Sequence, residues 1–214
     1  MFRIKICGVT SGGDARIVVD AGADAIGLNF YSESKRYISP EAAREIATVL
    51  PVTVCRVGVF VNASSAEVLE ISNYVGLDVI QLHGDEPPEF LNELAGERIV
   101  RAFRCRDGFQ ALHNYLERCA VPPEAVLIDA FDSTQYGGTG QPLEWMRIPA
   151  EKPLLGDIPL VLAGGLTPSN VVEAIQQARP WAVDTSSGVE TRPGRKDVQL
   201  VTRFVELAKS ALAA

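Results

Sequence analysis

Cys7, His83, Asp129 and Asp184 are the residues of this chain best placed for acid and base chemistry, because each closes or follows a short apolar run. Along Arg3-Ile4-Lys5-Ile6-Cys7, a strand's period of two puts Arg3, Lys5 and Cys7 on one face, expected to point inward, and Ile4 and Ile6 on the other. Cys7 then stands at the strand's end, Gly8 keeps access to it open, and the Lys5 ammonium below it favours a thiolate. The competing reading is a buried, inert cysteine. In Gln81-Leu82-His83-Gly84 the same alternation turns Gln81 and His83 inward, and His83 reads either as an acid or base or as a hydrogen-bonded structural residue. Val126-Leu127-Ile128-Asp129 is an apolar run ending in a carboxylate, which makes Asp129 the strongest acid candidate. Asp184 ends the last such run, and its expected role is to balance Lys5 in a buried ion pair.

A second kind of chemistry is anion binding. The runs Leu160–Ala163 and Ala182–Asp184 break into Gly164-Gly165 and Thr185-Ser186-Ser187-Gly188, where small residues leave backbone N–H groups free to cradle a phosphate. A glycine pair after a strand can also be no more than a tight turn. The remaining cysteines suggest no chemistry: Cys55 and Cys105 fall within β-like runs and Cys119 late in a helix. The four thiols have no CxxC spacing, so neither a metal site nor a disulfide framework is expected, and they are read as reduced. His113 falls in a helix and is read as solvated.

The elements that must position these residues alternate along the chain. Strands are expected at Arg3–Cys7, Ala25–Asn29, Thr53–Phe60, Val79–His83, Ile99–Arg104, Ala125–Asp129, Leu160–Ala163 and Ala182–Asp184. Between them, Ala43, Ile46, Ala47 and Leu50 recur at helical spacing, as do Val201, Phe204, Val205 and Ala208, and Phe109, Leu112 and Leu116. Ser39-Pro40 and Thr167-Pro168 each read as a cap followed by proline at the first helical position. Strict alternation implies a parallel sheet with right-handed crossovers. Eight units in 214 residues give an α/β fold with residues 1–214 as one compact (β/α)8 TIM-barrel domain, its shortest helical element around Leu143–Ile148. A doubly wound open sheet has the same periodicity. In a barrel, groups at the C-terminal ends of strands face the active-site mouth, and the loops after strands 7 and 8 form the phosphate site. The glycine-rich stretch Ala130–Gly140 reads as a mobile loop or lid.

Composition narrows the functions available. A net charge of −7 with no basic run argues against a nucleic-acid surface, and no stretch approaches the roughly 18 apolar residues of a membrane span. The N-terminus enters a strand at once without a signal-peptide core, so a cytoplasmic location is expected. The partner expected is a small molecule, and the assembly a monomer or homodimer.

The chain resembles the phosphoribosylanthranilate isomerases of tryptophan biosynthesis over essentially its full length. The resemblance is carried by Lys5-Ile6-Cys7-Gly8, Ser34-Lys35-Arg36-Tyr37-Ile38, Gln81-Leu82-His83-Gly84, Leu127-Ile128-Asp129, Gly137-Gly138-Thr139-Gly140, Ala163-Gly164-Gly165-Leu166 with Asn170, and Asp184 through Glu190. It implies an Amadori rearrangement of an aminoaldose phosphate to an aminoketose, without metal or cofactor. Cys7 is implied as base and Asp129 as acid. The thiol is then expected to fall, and the Asp129 carboxyl to rise, from their ordinary pKa values. Arg36, which its own residue type reads as a surface ion pair, is implied as a fork for the anthranilate carboxylate. Gln81, His83 and Asp184 are expected to contact substrate, and Gly164, Gly165, Ser187 and Gly188 its phosphate. The related histidine-pathway aminoaldose isomerases resemble a pattern with Asp where this chain has Cys7. A non-catalytic phosphosugar-binding barrel would need the glycine loops but no acid and base.

Overall fold

The structure, a computed structural model, describes residues 1–104, 108–129 and 145–213. Eight parallel strands close into a barrel: β1 (Ile4–Cys7), β2 (Ala25–Asn29), β3 (Cys55–Phe60), β4 (Val79–Leu82), β5 (Ile99–Arg104), β6 (Ala125–Asp129), β7 (Leu160–Ala163) and β8 (Ala182–Thr185). Each pairs with its neighbour in sequence, and β8 returns to β1 with Lys5 opposite Asp184. That last pairing removes both sheet edges and excludes the open doubly wound sheet.

Outside the barrel run α1 (Gly12–Asp20), α2 (Pro40–Val49), α3 (Ser65–Val75), α4 (Phe90–Glu93), α5 (Gln110–Glu117), α6 (Ile148–Glu151), α7 (Val171–Ala178) and, after a hairpin of β9 (Glu190–Arg192) and β10 (Arg195–Lys196), α8 (Val198–Ala213). The expected cap at Ser39-Pro40 is present: Ser39 accepts the Ala42 N–H and Pro40 opens α2. Ser11 and Ser64 cap α1 and α3 in the same way. Ala43, Ile46 and Ala47 are buried, as are Val201, Phe204, Val205 and Ala208, so these stripes face the sheet.

Alternation sorts the strand residues into two layers. Ala25, Val57, Val79, Val100, Leu127 and Val161 fill the barrel interior, whereas Ile4, Ile6, Ile26, Leu28, Ile128 and Leu162 pack against the helices. Lys5 lies in the inner layer, fully buried.

Three expectations are corrected, and one element is new. Arg3 precedes β1, and its guanidinium stacks 4.7 Å over the Trp181 ring and donates to the Leu212 carbonyl, because Phe2 occupies the foot of the interior. Thr167 does not cap α7, since Asn170 reaches back to accept the Thr167 N–H at 2.8 Å and the helix starts at Val171. The short element near residue 148 is a 3-10 turn (Trp145–Arg147) leading into the four-residue α6, and α4 is equally short. The hairpin of β9 and β10 was not expected at all. The expected lid at Ala130–Gly140 and the cysteine at position 105 lie outside the described residues.

Candidate active site

The C-terminal ends of the strands open onto a cavity of about 430 Å3. Cys7, Arg36, Gln81, His83, Asp129, Gly164, Gly165, Asp184 and Ser187 line it, so strand ends widely separated in sequence meet at one mouth. Gly188 does not line it. A Cβ there would strike the Leu166 carbonyl oxygen, so Gly188 lets the loop after β8 close on the loop after β7. Thr185 fastens the same two loops by donating its hydroxyl to the Leu166 carbonyl at 2.6 Å.

Gly164 and Gly165 both have positive φ, +88° and +64°, in the region that side chains disfavour. Asn170 braces this turn, donating to the Gly165 carbonyl at 3.0 Å while it accepts from Thr167. Beside this turn on the cavity rim, Ser187 opens a 3-10 turn (Ser187–Val189). Two braced, glycine-bearing loops on one side of the pocket are a suitable cradle for a phosphate.

Deeper in the mouth, Lys5 Nζ lies 2.9 Å from Asp184 Oδ1, the ion pair expected from barrel closure. Burial pulls the Lys5 ammonium down, but Asp184, with help from Cys7, outweighs it and holds Lys5 above its ordinary value. For Cys7 the balance runs the other way. Burial, its largest influence, pushes the thiol up against the pull of Lys5 and Lys196, so the expected fall is not met. Gly27 stands opposite Cys7 in the β1–β2 register, and a Cβ on it would sit 2.6 Å from the Cys7 sulfur. A glycine inside a strand was the available signal for such a close approach.

His83 is pushed down to about 4, first by burial and then by Lys5, Arg104 and Arg101, which makes it neutral near pH 7 rather than an acid. Gln81 Nε2 lies 3.0 Å from its Nδ1. When the amide donates there, the ring proton sits on Nε2, and His83 offers the pocket a neutral donor.

Arg36 occupies the loop after β2, where Ser34 accepts its backbone N–H at 3.1 Å and Asn29 donates to the same hydroxyl. Its guanidinium is in an ion pair, but a half-buried one at the pocket wall. Nε and Nη2 fork onto Glu190 at 3.0 and 2.7 Å, and Glu190 also receives Lys196 Nζ at 2.8 Å. Burial would raise the Glu190 carboxyl, yet the bonds from Arg36 and Lys196 leave it below its ordinary value. Lys196 was missed in the sequence because Arg195-Lys196 reads as an exposed polar turn, whereas its side chain is fully buried. Burial lowers the Lys196 ammonium against the opposing pull of Glu190.

The other thiols among the described residues, Cys55 and Cys119, stand apart. Cys55 is pushed up to about 11 by burial, and Cys119 contacts the Tyr115 carbonyl. His113 is half-buried rather than solvated, with Nδ1 3.0 Å from the Leu154 carbonyl. Among the described residues no cluster of three or more His, Cys, Asp or Glu could hold a metal, and no helix is long and apolar enough to cross a membrane.

Comparison with known proteins converges on one family. Residues 4–207 match the family model described as N-(5'phosphoribosyl)anthranilate (PRA) isomerase. The N-(5'-phosphoribosyl)anthranilate isomerase of Geobacter sulfurreducens is 46% identical over 211 residues, 98% of this chain and 99% of that one. The crystal structure of phosphoribosyl anthranilate isomerase from Thermotoga maritima superposes with a TM-score of 0.85 at 42% identity, covering 98% of this chain and 100% of that one. A second crystal structure, in complex with reduced 1-(o-carboxyphenylamino)-1-deoxyribulose 5-phosphate, gives 0.84 at 41% identity over the same shares.

Proposed function

The chain belongs to the N-(5'-phosphoribosyl)anthranilate isomerase family, and from that membership we propose the roles of its residues in the Amadori rearrangement of tryptophan biosynthesis. Asp129 is the general acid. It protonates the furanose ring oxygen, the C1–O bond breaks, and the nitrogen lone pair forms an iminium. Cys7 is the general base. As a thiolate it removes the proton from C2, the electrons of that C–H bond neutralise the iminium, and the resulting enolamine tautomerises to the aminoketose.

The other groups bind and orient. Arg36 receives the aryl carboxylate, Gly164, Gly165 and Ser187 receive the phosphate, and Gln81 and His83 face the sugar hydroxyls as neutral donors and acceptors. Gly188 acts on the phosphate loop through its close packing. Asp184 keeps Lys5 charged beneath the thiol.

What carries this reading is that Cys7 and Asp129, distant in sequence, line the same cavity as a braced pair of glycine-bearing loops. The same reading makes residues 1–214 one barrel domain. It takes the protein as a cytoplasmic monomer or homodimer that acts on a small phosphosugar, with no metal, cofactor, nucleic acid or membrane partner. The direct test is the loss of anthranilate fluorescence as phosphoribosylanthranilate is consumed. Wild type should turn over, and Asp129→Asn should not. An already ring-opened analogue should partly rescue Asp129→Asn but not Cys7→Ser. Equal defects of Asp129→Asn on both substrates would remove it from the acid role.

A further inference from the structure

The buried ammonium of Lys196 touches three acceptors: the Cys7 carbonyl, the Ser186 carbonyl at 3.3 Å and Glu190 Oε1 at 2.8 Å. Three acceptors match the three N–H groups of a protonated lysine, whereas a neutral amine would leave one of them unmet. Glu190 in turn is the carboxylate that grips Arg36 through Nε and Nη2, leaving Nη1 outside the fork and the guanidinium at the cavity wall. Counted by charge, two cations share one anion. Without Lys196, Arg36 and Glu190 would be a neutral pair with little attraction for a second carboxylate. With it, one positive charge remains beside the pocket.

We propose that Lys196 is a specificity-determining residue: by neutralising Glu190 it leaves Arg36 both fixed in orientation and electrostatically unspent, ready for a carboxylate on the aryl group of the ligand. Glu190 supplies the fixed geometry and Lys196 the charge. The charge decides the preference, because a compensated guanidinium gains little Coulomb energy from a second carboxylate, whereas the amide oxygen left by Glu190→Gln can still accept from Nε and keep the guanidinium oriented. The proposal rests on the reading of Arg36 as the carboxylate's partner.

The test is a ratio of affinities. Dissociation constants are measured by calorimetry for reduced 1-(o-carboxyphenylamino)-1-deoxyribulose 5-phosphate and for the same compound without its carboxylate, on wild type and on Arg36→Met, Lys196→Met, Lys196→Arg and Glu190→Gln. Wild type should prefer the carboxylate by about tenfold or more. Lys196→Met should bring that preference close to one by weakening only the carboxylate ligand, and Lys196→Arg should restore it. Glu190→Gln, which adds net positive charge, should keep or raise it. Because both ligands are compared on the same protein, a general loss of structure cancels from the ratio. If Lys196→Met weakens both ligands by the same factor, or if the preference falls in Glu190→Gln, the proposal is overturned while the Arg36 reading stands. The Glu190→Gln arm remains decisive where Lys196→Met does not fold. If Arg36→Met keeps the wild-type preference, the Arg36 reading itself fails.

Discussion

A thiol whose burial outweighs the pull of two nearby ammonium groups is hard to ionise, and the thiolate it forms is a strong base. Because burial lifts Cys7 above its reference value of 9.0, the thiolate is a minor form at neutral pH, and kcat/KM should rise with pH through the neutral range. Cys7→Ser keeps the shape but has a far weaker acid, so kcat should fall by roughly 10²–10⁴ with a modest change in KM. Near wild-type turnover in the fluorescence assay would exclude Cys7 as base. Glu190 makes a separate prediction. Its folded pKa is depressed below an unfolded value near 4.5, so its contribution to stability is complete above that value and is lost as pH falls through the lower, folded one. The difference in melting temperature between wild type and Glu190→Gln should therefore be flat between about pH 8 and 6 and should narrow below about pH 4.5. A gap that stays constant into acid would mean that the Arg36 and Lys196 contacts do not hold Glu190 ionised. Cys7, Asp129 and the inward Gln81 and His83 were legible as site candidates because alternation along a strand announces which side chains share a face. The direction of the Cys7 shift was not, since Lys5 is visible in the local sequence but the extent of burial depends on all eight strands.

At the scale of elements, the catalytic end of β1 depends on what β2 leaves out. Gly27 faces Cys7 across the ladder, and an alanine there would bring a methyl group to 2.6 Å from Sγ and 2.9 Å from the Cys7 Cα. One of those atoms is backbone, so the strands must separate or the thiol must turn. Gly27→Ala should cost about 1–3 kcal/mol in urea unfolding. It should also lower kcat, because a displaced base loses its alignment with the substrate. Unchanged stability and unchanged kcat together would mean that the strands absorb the methyl group freely. The cap at Ser39-Pro40 and the stripe Val201-Phe204-Val205-Ala208 could be read directly, because they are local rules of one helix. The start of α7 could not, because Asn170 turns back to hold Thr167 and Gly165, a competition between turn and cap that spacing does not resolve. The β9–β10 hairpin is too short to show a period. Lys196 is buried in it because its cross-strand partner Glu190 is joined by the carbonyls of Cys7 and Ser186, from the ends of β1 and β8, in receiving its ammonium.

For the molecule as a whole, the decisive contact is the seam where the last strand meets the first. Alternation of strands and helices suits an open sheet as well as a barrel, and only the β8–β1 pairing distinguishes them. Lys5 and Asp184 lie opposite one another at that seam, 2.9 Å apart, with side chains 0% and 9% exposed. Removing one partner strands a charge in the barrel interior, whereas removing both replaces an expensive pair with apolar volume. Lys5→Met and Asp184→Leu should each cost about 3–5 kcal/mol, while the double variant should recover most of that loss. Urea unfolding of the four proteins measures the coupling, and it should proceed in a single transition of similar slope in each, since no strand of a closed barrel can leave without opening the rest. The double variant should nevertheless remain a poor enzyme, because the thiol of Cys7 loses the nearest cation that opposes its rise. Stability restored with kcat still low would separate what the pair does for the barrel from what Lys5 does for the base. Additive single costs would show instead that the two charges at the seam act independently.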